Sequence, residues 1–327
     1  MSRMTRMAVV LLPMLIAGPA QAFDIEAHRG GRALLPENTL PAFANALSMG
    51  VSTLELDLGV TKDRVVIVSH ERGLNPDLAR DTAGAYVPPP GTPFVQLNLA
   101  DVKRYDVGQI RPGSKYAENF AQQRAVPGTR IPTLAEVFAL VRKSGDKAVR
   151  LNIETKIDPR KPDETVDPAT FVTVLLDLLR KEQFTDRVMI QSFDWRTLQL
   201  VQKQAPEIPT VYLTQQQGPE PNVLAAAATP WTAGYNPADY GGYVPRTVKA
   251  AGGKIWSPLY VDVTPAAVAE AHSLGLTVVP WTTNAEDDMA RLIDMGVDGL
   301  ISDRPDLLRK VTQQKGVTMP IPAPVTP

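Results

Sequence analysis

Cysteine is absent from the 327 residues, and histidine occurs only three times. The first absence excludes disulfides, zinc–thiolate sites, iron–sulfur clusters and thiol nucleophiles. The second confines imidazole chemistry to His28, His70 and His272. No charge of one sign dominates: 34 Lys+Arg face 35 Asp+Glu, for a net charge of −1. Nucleic acid and acidic membrane are therefore not indicated as partners. Long hydrophobic runs are also missing. Met7–Ala17 falls well short of the ~20 residues that a membrane span needs, so no stable membrane insertion is expected. What remains, 44% hydrophobic and 21% charged residues, is an ordinary globular balance. It excludes a disordered chain, a collagen and a coiled coil.

Residues 1–22 read as an export signal. Arg3 and Arg6 precede the apolar run, and Ala20-Gln21-Ala22 fits a small-x-small cleavage site. A periplasmic or secreted protein is expected. After the signal, short apolar strands alternate with helical patterns. The strands are Ile25–His28, Val51–Asp57, Val149–Glu154, Arg187–Gln191, Pro209–Leu213, Lys254–Ser257, Leu276–Trp281 and Gly299–Ser302. Helices are predicted at Leu40–Met49, Thr133–Arg142, Pro168–Lys181, Trp195–Gln204, Pro265–Ser273 and Glu286–Met295. Asp167 and Thr264 are the expected N-caps of two of them.

Val65-Val66-Ile67-Val68 is a ninth strand, set off from the preceding one only by the turn Thr61-Lys62-Asp63-Arg64. A parallel crossover needs a dozen or more residues, so the two must form an antiparallel hairpin. Eight βα units remain. They predict an α/β fold of the (β/α)8 TIM-barrel type, with its active site at the carboxyl ends of the strands. Residues 71–131 read as an insertion folded over the barrel mouth, shaping substrate access. The proline-rich tail, residues 317–327, is expected to be disordered.

Charged residues gather at the predicted strand ends. The first strand ends in His28-Arg29-Gly30. The second carries Glu55 and Asp57 with one facing, and the third ends in Glu154-Thr155-Lys156. A hairpin turn centred between Lys62 and Asp63 returns His70 to a point across from Glu55. Three convergent carboxylates are reconciled by a hard divalent cation, Ca²⁺ or Mg²⁺. Arg29 and Lys156 add an anion site. Such equipment suits phosphoryl chemistry, with one imidazole taking a proton and the other giving one. His272 sits near a helix C-terminus, where a cation is favourable, and reads as structural. Trp231 and Trp256 read as core or loop packing.

The same motifs resemble those of the glycerophosphodiester phosphodiesterase family. His28-Arg29-Gly30, Pro36-Glu37-Asn38-Thr39, Glu55-Leu56-Asp57, Thr61-Lys62-Asp63 and His70 match it in order and spacing. So do Asn152 to Lys156, Gln191-Ser192-Phe193, Trp281 to Asn284, and Gly299 to Asp303. The resemblance spans about residues 24–310. It implies a TIM barrel that cleaves glycerophosphodiesters to sn-glycerol 3-phosphate and an alcohol. It also implies His28 and His70 as the acid–base pair, Glu55, Asp57 and Glu154 as metal ligands, and Arg29 and Lys156 as phosphate contacts. Glu37 would orient Arg29. Phe193 and Trp281 would line the glycerol pocket, or else pack. Glu71 departs from the family's usual Asp at that position. Two other functions stay open: a D-type phospholipase relative, whose exported members typically carry cysteines, and a non-catalytic binder of phosphorylated polyols.

Overall fold

The computed structural model describes residues 23–327, so the expected export signal lies outside the described residues. The strands are β1 (Asp24–Ala27), β2 (Thr53–Val60), β3 (Val66–Val68), β4 (Arg150–Thr155), β5 (Val188–Ser192), β6 (Thr210–Thr214), β7 (Ile255–Pro258), β8 (Thr277–Val278) and β9 (Gly299–Ser302). All except β3 pair in parallel, in the order β8-β7-β6-β5-β4-β2-β1-β9. Backbone bonds from Asp298 to Val278 (2.9 Å), Ile301 to Pro280 (2.9 Å) and Thr283 to Ile301 (3.0 Å) join the two ends of that path. The result is the (β/α)8 barrel.

Strands β1, β2, β5, β6 and β9 are buried along their whole length, because the helices cover one face and the barrel interior the other. β8 is shorter than expected because Pro280 has no N–H to give. The ladder to β7 nevertheless continues through Val279 and Trp281, which donate to Trp256 (3.0 Å) and Pro258 (3.0 Å).

The helices are α1 (Leu40–Met49), α2 (Leu99–Val102), α3 (Lys115–Asn119), α4 (Leu134–Ser144), α5 (Pro168–Lys181), α6 (Trp195–Gln204), α7 (Val244–Ala250), α8 (Pro265–Ser273), α9 (Glu286–Asp294) and α10 (Pro305–Gln314). Asp167 and Thr264 cap α5 and α8 as expected, and Thr133 with Glu136 forms a capping box on α4. The helical patterns of α7 and α10 were not recognised in the sequence. Both begin around a proline that the first turn tolerates. Among the described residues no helix is long and apolar enough to cross a membrane.

β3 returns antiparallel to β2, but its register differs from the expected one. Leu58, Gly59 and Val60 face Val68, Ile67 and Val66, which centres the turn on Asp63. The extra residue is Arg64, in the left-handed region at φ 60°. Along the ladder His70 therefore continues toward Leu56 rather than Glu55. It reaches the site because the chain bends after Ser69, whose amide bonds the Asp57 carbonyl at 2.8 Å.

The insertion has its own small core, including Leu74, Val87, Phe94, Val107 and Ile131. Asp106 ties it together, accepting from Arg80 (2.5 Å) and from the amides of Gly108 and Gly128 (both 2.9 Å). The tail was expected to be disordered. Instead it lies in extended conformation across the amino-terminal ends of the strands. Ala323 donates to the Leu47 carbonyl at 2.9 Å, Lys143 Nζ reaches the Thr326 carbonyl at 2.8 Å, and Met319 and Val325 pack on the main core. Its prolines restrict the free chain and so lower the entropy cost of docking.

Candidate active site

Parallel pairing of β2 with β4 sets Glu55 beside Asn152 and Asp57 beside Glu154. The pleat then turns Glu55, Asp57 and Glu154 inward together, while Leu54, Leu56 and Leu58 turn outward to the helices. Each carboxylate offers an oxygen within 4.8 Å of the others, and all three are buried. Burial and the neighbouring carboxylates hold Glu55 well above the usual range. They push Glu154 up to about 7, against the pull of Lys156. Asp57 is also buried, but Lys156 and Arg29 bring it well below its ordinary value. Its Oδ1 makes no hydrogen bond and has only Lys156 Nζ, at 3.3 Å. Crowded carboxylates with an unsatisfied buried oxygen fit a hard divalent cation with oxygen ligands.

The other expected residues surround this triad. His28 and Arg29 lie in a tight turn after β1, with Arg29 in the left-handed region at φ 51°. The Arg29 amide donates to Glu55 Oε2 at 2.7 Å, and its guanidinium meets Glu37 at 2.9 Å and Asp57 at 3.3 Å. Glu37 thus holds Arg29 as expected. Lys156 lies between Glu154 (2.8 Å) and Asp57. His70 bonds Glu71 at 2.9 Å, so the longer Glu71 still supplies a carboxylate to the imidazole. Burial lowers both histidines, His28 to about 4 and His70 to about 3, the latter helped by Arg29 and Lys156. His272 stands apart, exposed and paired with Asp298 at 2.9 Å.

A cleft of about 350 Å³ opens above these groups. Phe193 and Trp281 form one wall, edge to face at 5.2 Å. Trp231, read from the sequence as packing, also lines this cleft, with the Arg160 guanidinium 5.1 Å from its ring. Trp256 is packing: it is buried, and its Nε1 donates to Thr214 at 2.9 Å. The outer wall comes from the loop after β6, through Gln215, Glu220, Asn222 and Trp231, rather than from the insertion.

Several supporting residues were not singled out from sequence. Asp303 accepts from His28 Nδ1 at 2.6 Å, from Arg32 at 2.7 Å and from Asn284 at 2.8 Å. These partners hold its carboxyl far below the usual range despite burial. Gln191 donates to Glu55 Oε1 at 2.7 Å, and Asn38 donates to Asp57 Oδ2 at 2.9 Å. Each lies within a motif quoted above. Their roles emerge only once the strand register names their partners.

Residues 28–307 match the Glycerophosphoryl diester phosphodiesterase family. The chain belongs to this family. It is 31% identical over 291 residues to the glycerophosphodiester phosphodiesterase of Caldanaerobacter subterraneus subsp. tengcongensis, covering 89% of this chain and 98% of that relative. A crystal structure from Silicibacter pomeroyi DSS-3, assigned to the glycerophosphoryl diester phosphodiesterases, superposes with a TM-score of 0.80 at 33% identity. It covers 92% of this chain and 97% of the other. An Oleispira antarctica phosphodiesterase in complex with its product sn-glycerol-3-phosphate shares the fold, with a TM-score of 0.65 at 19% identity over 89% of this chain and 97% of that one. Membership makes this a phosphoric diester hydrolase family chain with its charged cleft at the expected end of the barrel.

Proposed function

We propose that this protein hydrolyses glycerophosphodiesters to sn-glycerol 3-phosphate and an alcohol, with a divalent cation and two histidines. The observation that carries the reading is the buried Glu55–Asp57–Glu154 cluster set between His28 and His70 in one cleft. Ca²⁺ or Mg²⁺ held by those carboxylates would supply positive charge to the non-bridging phosphate oxygens. Arg29 adds a fixed guanidinium beside the same place. Lys156 offers an ammonium that can turn from the carboxylates to the phosphate.

His28 is oriented through Nδ1 by Asp303, which leaves Nε2 to exchange a proton with substrate. Nε2 stands 4.0 Å from Glu55 Oε2, too far for a hydrogen bond. His70 is oriented in the same way through Nδ1 by Glu71. One imidazole, neutral, takes the proton of the glycerol 2-hydroxyl as it attacks phosphorus; the other, protonated, gives its proton to the alcohol as the P–O bond breaks, and water then opens the cyclic phosphate to sn-glycerol 3-phosphate with the two roles exchanged. Phe193 and Trp281 offer apolar faces to the glycerol carbons.

The test is release of sn-glycerol 3-phosphate from a panel of diesters differing only in the alcohol. Release from several of them supports the reading, and release from none refutes it. Residues 1–22, read as an export signal, add a location in the periplasm or outside the cell. The mature chain should then begin at Phe23, which N-terminal sequencing of the exported protein checks.

A further inference from the structure

The insertion does not line the cleft, yet it touches Glu37, which holds Arg29, and Arg32, which bonds Asp303. Tyr116, on α3, donates its hydroxyl to Glu37 Oε2. The other oxygen, Oε1, takes Arg29 Nη1 at 2.9 Å. On its far side the Tyr116 hydroxyl receives Arg32 Nη1 at 3.5 Å. Arg32 in turn bonds Asp303 through Nε at 2.7 Å, and Asp303 bonds His28 at 2.6 Å. Phe120, one turn beyond Tyr116, lies 4.7 Å beneath the same guanidinium. The hydroxyl thus stands where two chains of contacts meet. One runs through Glu37 to Arg29, the other through Arg32 and Asp303 to His28.

The physical consequence follows from the two oxygens of Glu37. This carboxylate is buried. A guanidinium facing a carboxylate with two open oxygens commonly takes both, in a parallel fork. Tyr116 draws Oε2 toward its hydroxyl, and Arg29 meets Glu37 through Oε1 by one nitrogen. The rest of the guanidinium stays directed at Asp57, 3.3 Å away, and at the space beside the carboxylates. Without the hydroxyl, Oε2 becomes a buried acceptor with no donor, which carries a desolvation cost. Rotation of Arg29 into the fork relieves that cost.

We infer that Tyr116 is a positioning residue: through Glu37 it keeps Arg29 in its one-nitrogen geometry over the site, a contribution of the insertion to turnover beside that of Glu71. The inference rests on the proposed hydrolysis for its kinetic arm only.

The test uses the full chain and three variants. Tyr116→Phe should lower kcat about tenfold, within the ~10²-fold that a 1 Å misplacement can cost, with KM within about twofold and Tm unchanged. Glu37→Gln should cause a similar loss, and the double variant should lose no more than the worse single one. Tyr86→Phe removes a hydroxyl that bonds only the Gln109 carbonyl inside the insertion, and should match wild type. A crystal structure of Tyr116→Phe should show Arg29 turned to take both Glu37 oxygens. Wild-type kcat in Tyr116→Phe, losses that multiply in the double variant, an equal loss in Tyr86→Phe, or an unmoved Arg29 would each overturn the inference. If the wild-type chain cleaves no diester, the function fails, and the Arg29 geometry alone still decides for or against Tyr116.

Discussion

On the side of the barrel mouth made by β9, β1, β2 and β4, charged groups stand within bonding distance of one another: Asp303 with His28, Arg29 with Glu37, and Lys156 with Glu154. On the side made by β5 to β8, the cleft wall is Phe193, Leu213 and Trp281, with Trp231 outside them. The first side has the groups to move protons and hold phosphate. The second offers aromatic surface and neutral polar groups, with the Glu220–Arg160 pair at its outer edge. The difference extends to how each is built. The carboxylates sit on strands, where the ladder fixes their spacing. Trp231 sits on a loop, held by contacts such as Asn222 donating to the Leu213 carbonyl at 3.0 Å. We propose that the strand-built side carries the chemistry, that Phe193 and Trp281 meet the glycerol, and that the loop bearing Trp231 meets the alcohol.

The sharpest way to break this division is to exchange the effects of its two sides. His28→Ala and His70→Ala should each reduce kcat by about 10²–10⁴ with Tm retained. Asp303→Asn should show a smaller loss of the same kind, because it disturbs only the setting of His28. His272→Ala should leave turnover unchanged. Steady-state kinetics on the purified chain checks the ranking, and a larger loss at His272 would place the chemistry at the wrong end of the barrel.

The other side predicts a different signature. Trp231→Ala removes apolar contact worth about 1 kcal/mol, so KM should rise about fivefold while kcat stays within twofold. The size of the rise should vary with the alcohol of the diester. A drop in kcat equal for all alcohols would erase the distinction between the two sides.

Asp106→Asn in the insertion should leave turnover unchanged and act on stability alone. Burial raises the Asp106 carboxyl, but the Gly128 and Gly108 amides and Arg80 outweigh it and leave the group below its ordinary value. A carboxylate depressed in the folded state stabilises above its unfolded pKa, and that contribution is lost as pH falls through the folded one. The variant should therefore lose on the order of 2 kcal/mol at pH 7. The deficit should shrink below about pH 4, where the unfolded carboxyl begins to protonate. Denaturant melts at the two pH values check this, and a deficit independent of pH would contradict it.

The two sides also differ in how far they can be read from sequence. Strand ends are legible because alternation in Glu55-Leu56-Asp57 fixes facing, and barrel order makes the next strand end a neighbour. The hairpin was legible as a hairpin. Its register was not, because a single left-handed residue, Arg64, shifts the pairing without changing the apolar pattern. Asp303 and Gln191 stood in view as motif members, but a hydrogen-bond partner is a property of three-dimensional placement. Trp231 was unreadable for a plainer reason. An aromatic residue in an irregular loop carries no periodicity to say which way it faces. The tail misled because proline-rich composition reports what the free chain does, and not what a docking surface offers Met319 and Val325.

The central claim is that the carboxylate cluster on the charged side works with one divalent cation. Its most direct test is a titration of Mg²⁺ or Ca²⁺ into the stripped chain, with sn-glycerol 3-phosphate release followed at each step. Turnover should be absent at the start and saturate at one cation per chain. Asp57→Asn should need much more cation to reach any turnover, since it removes a charged oxygen ligand. Full turnover of the stripped chain in excess chelator would contradict the account.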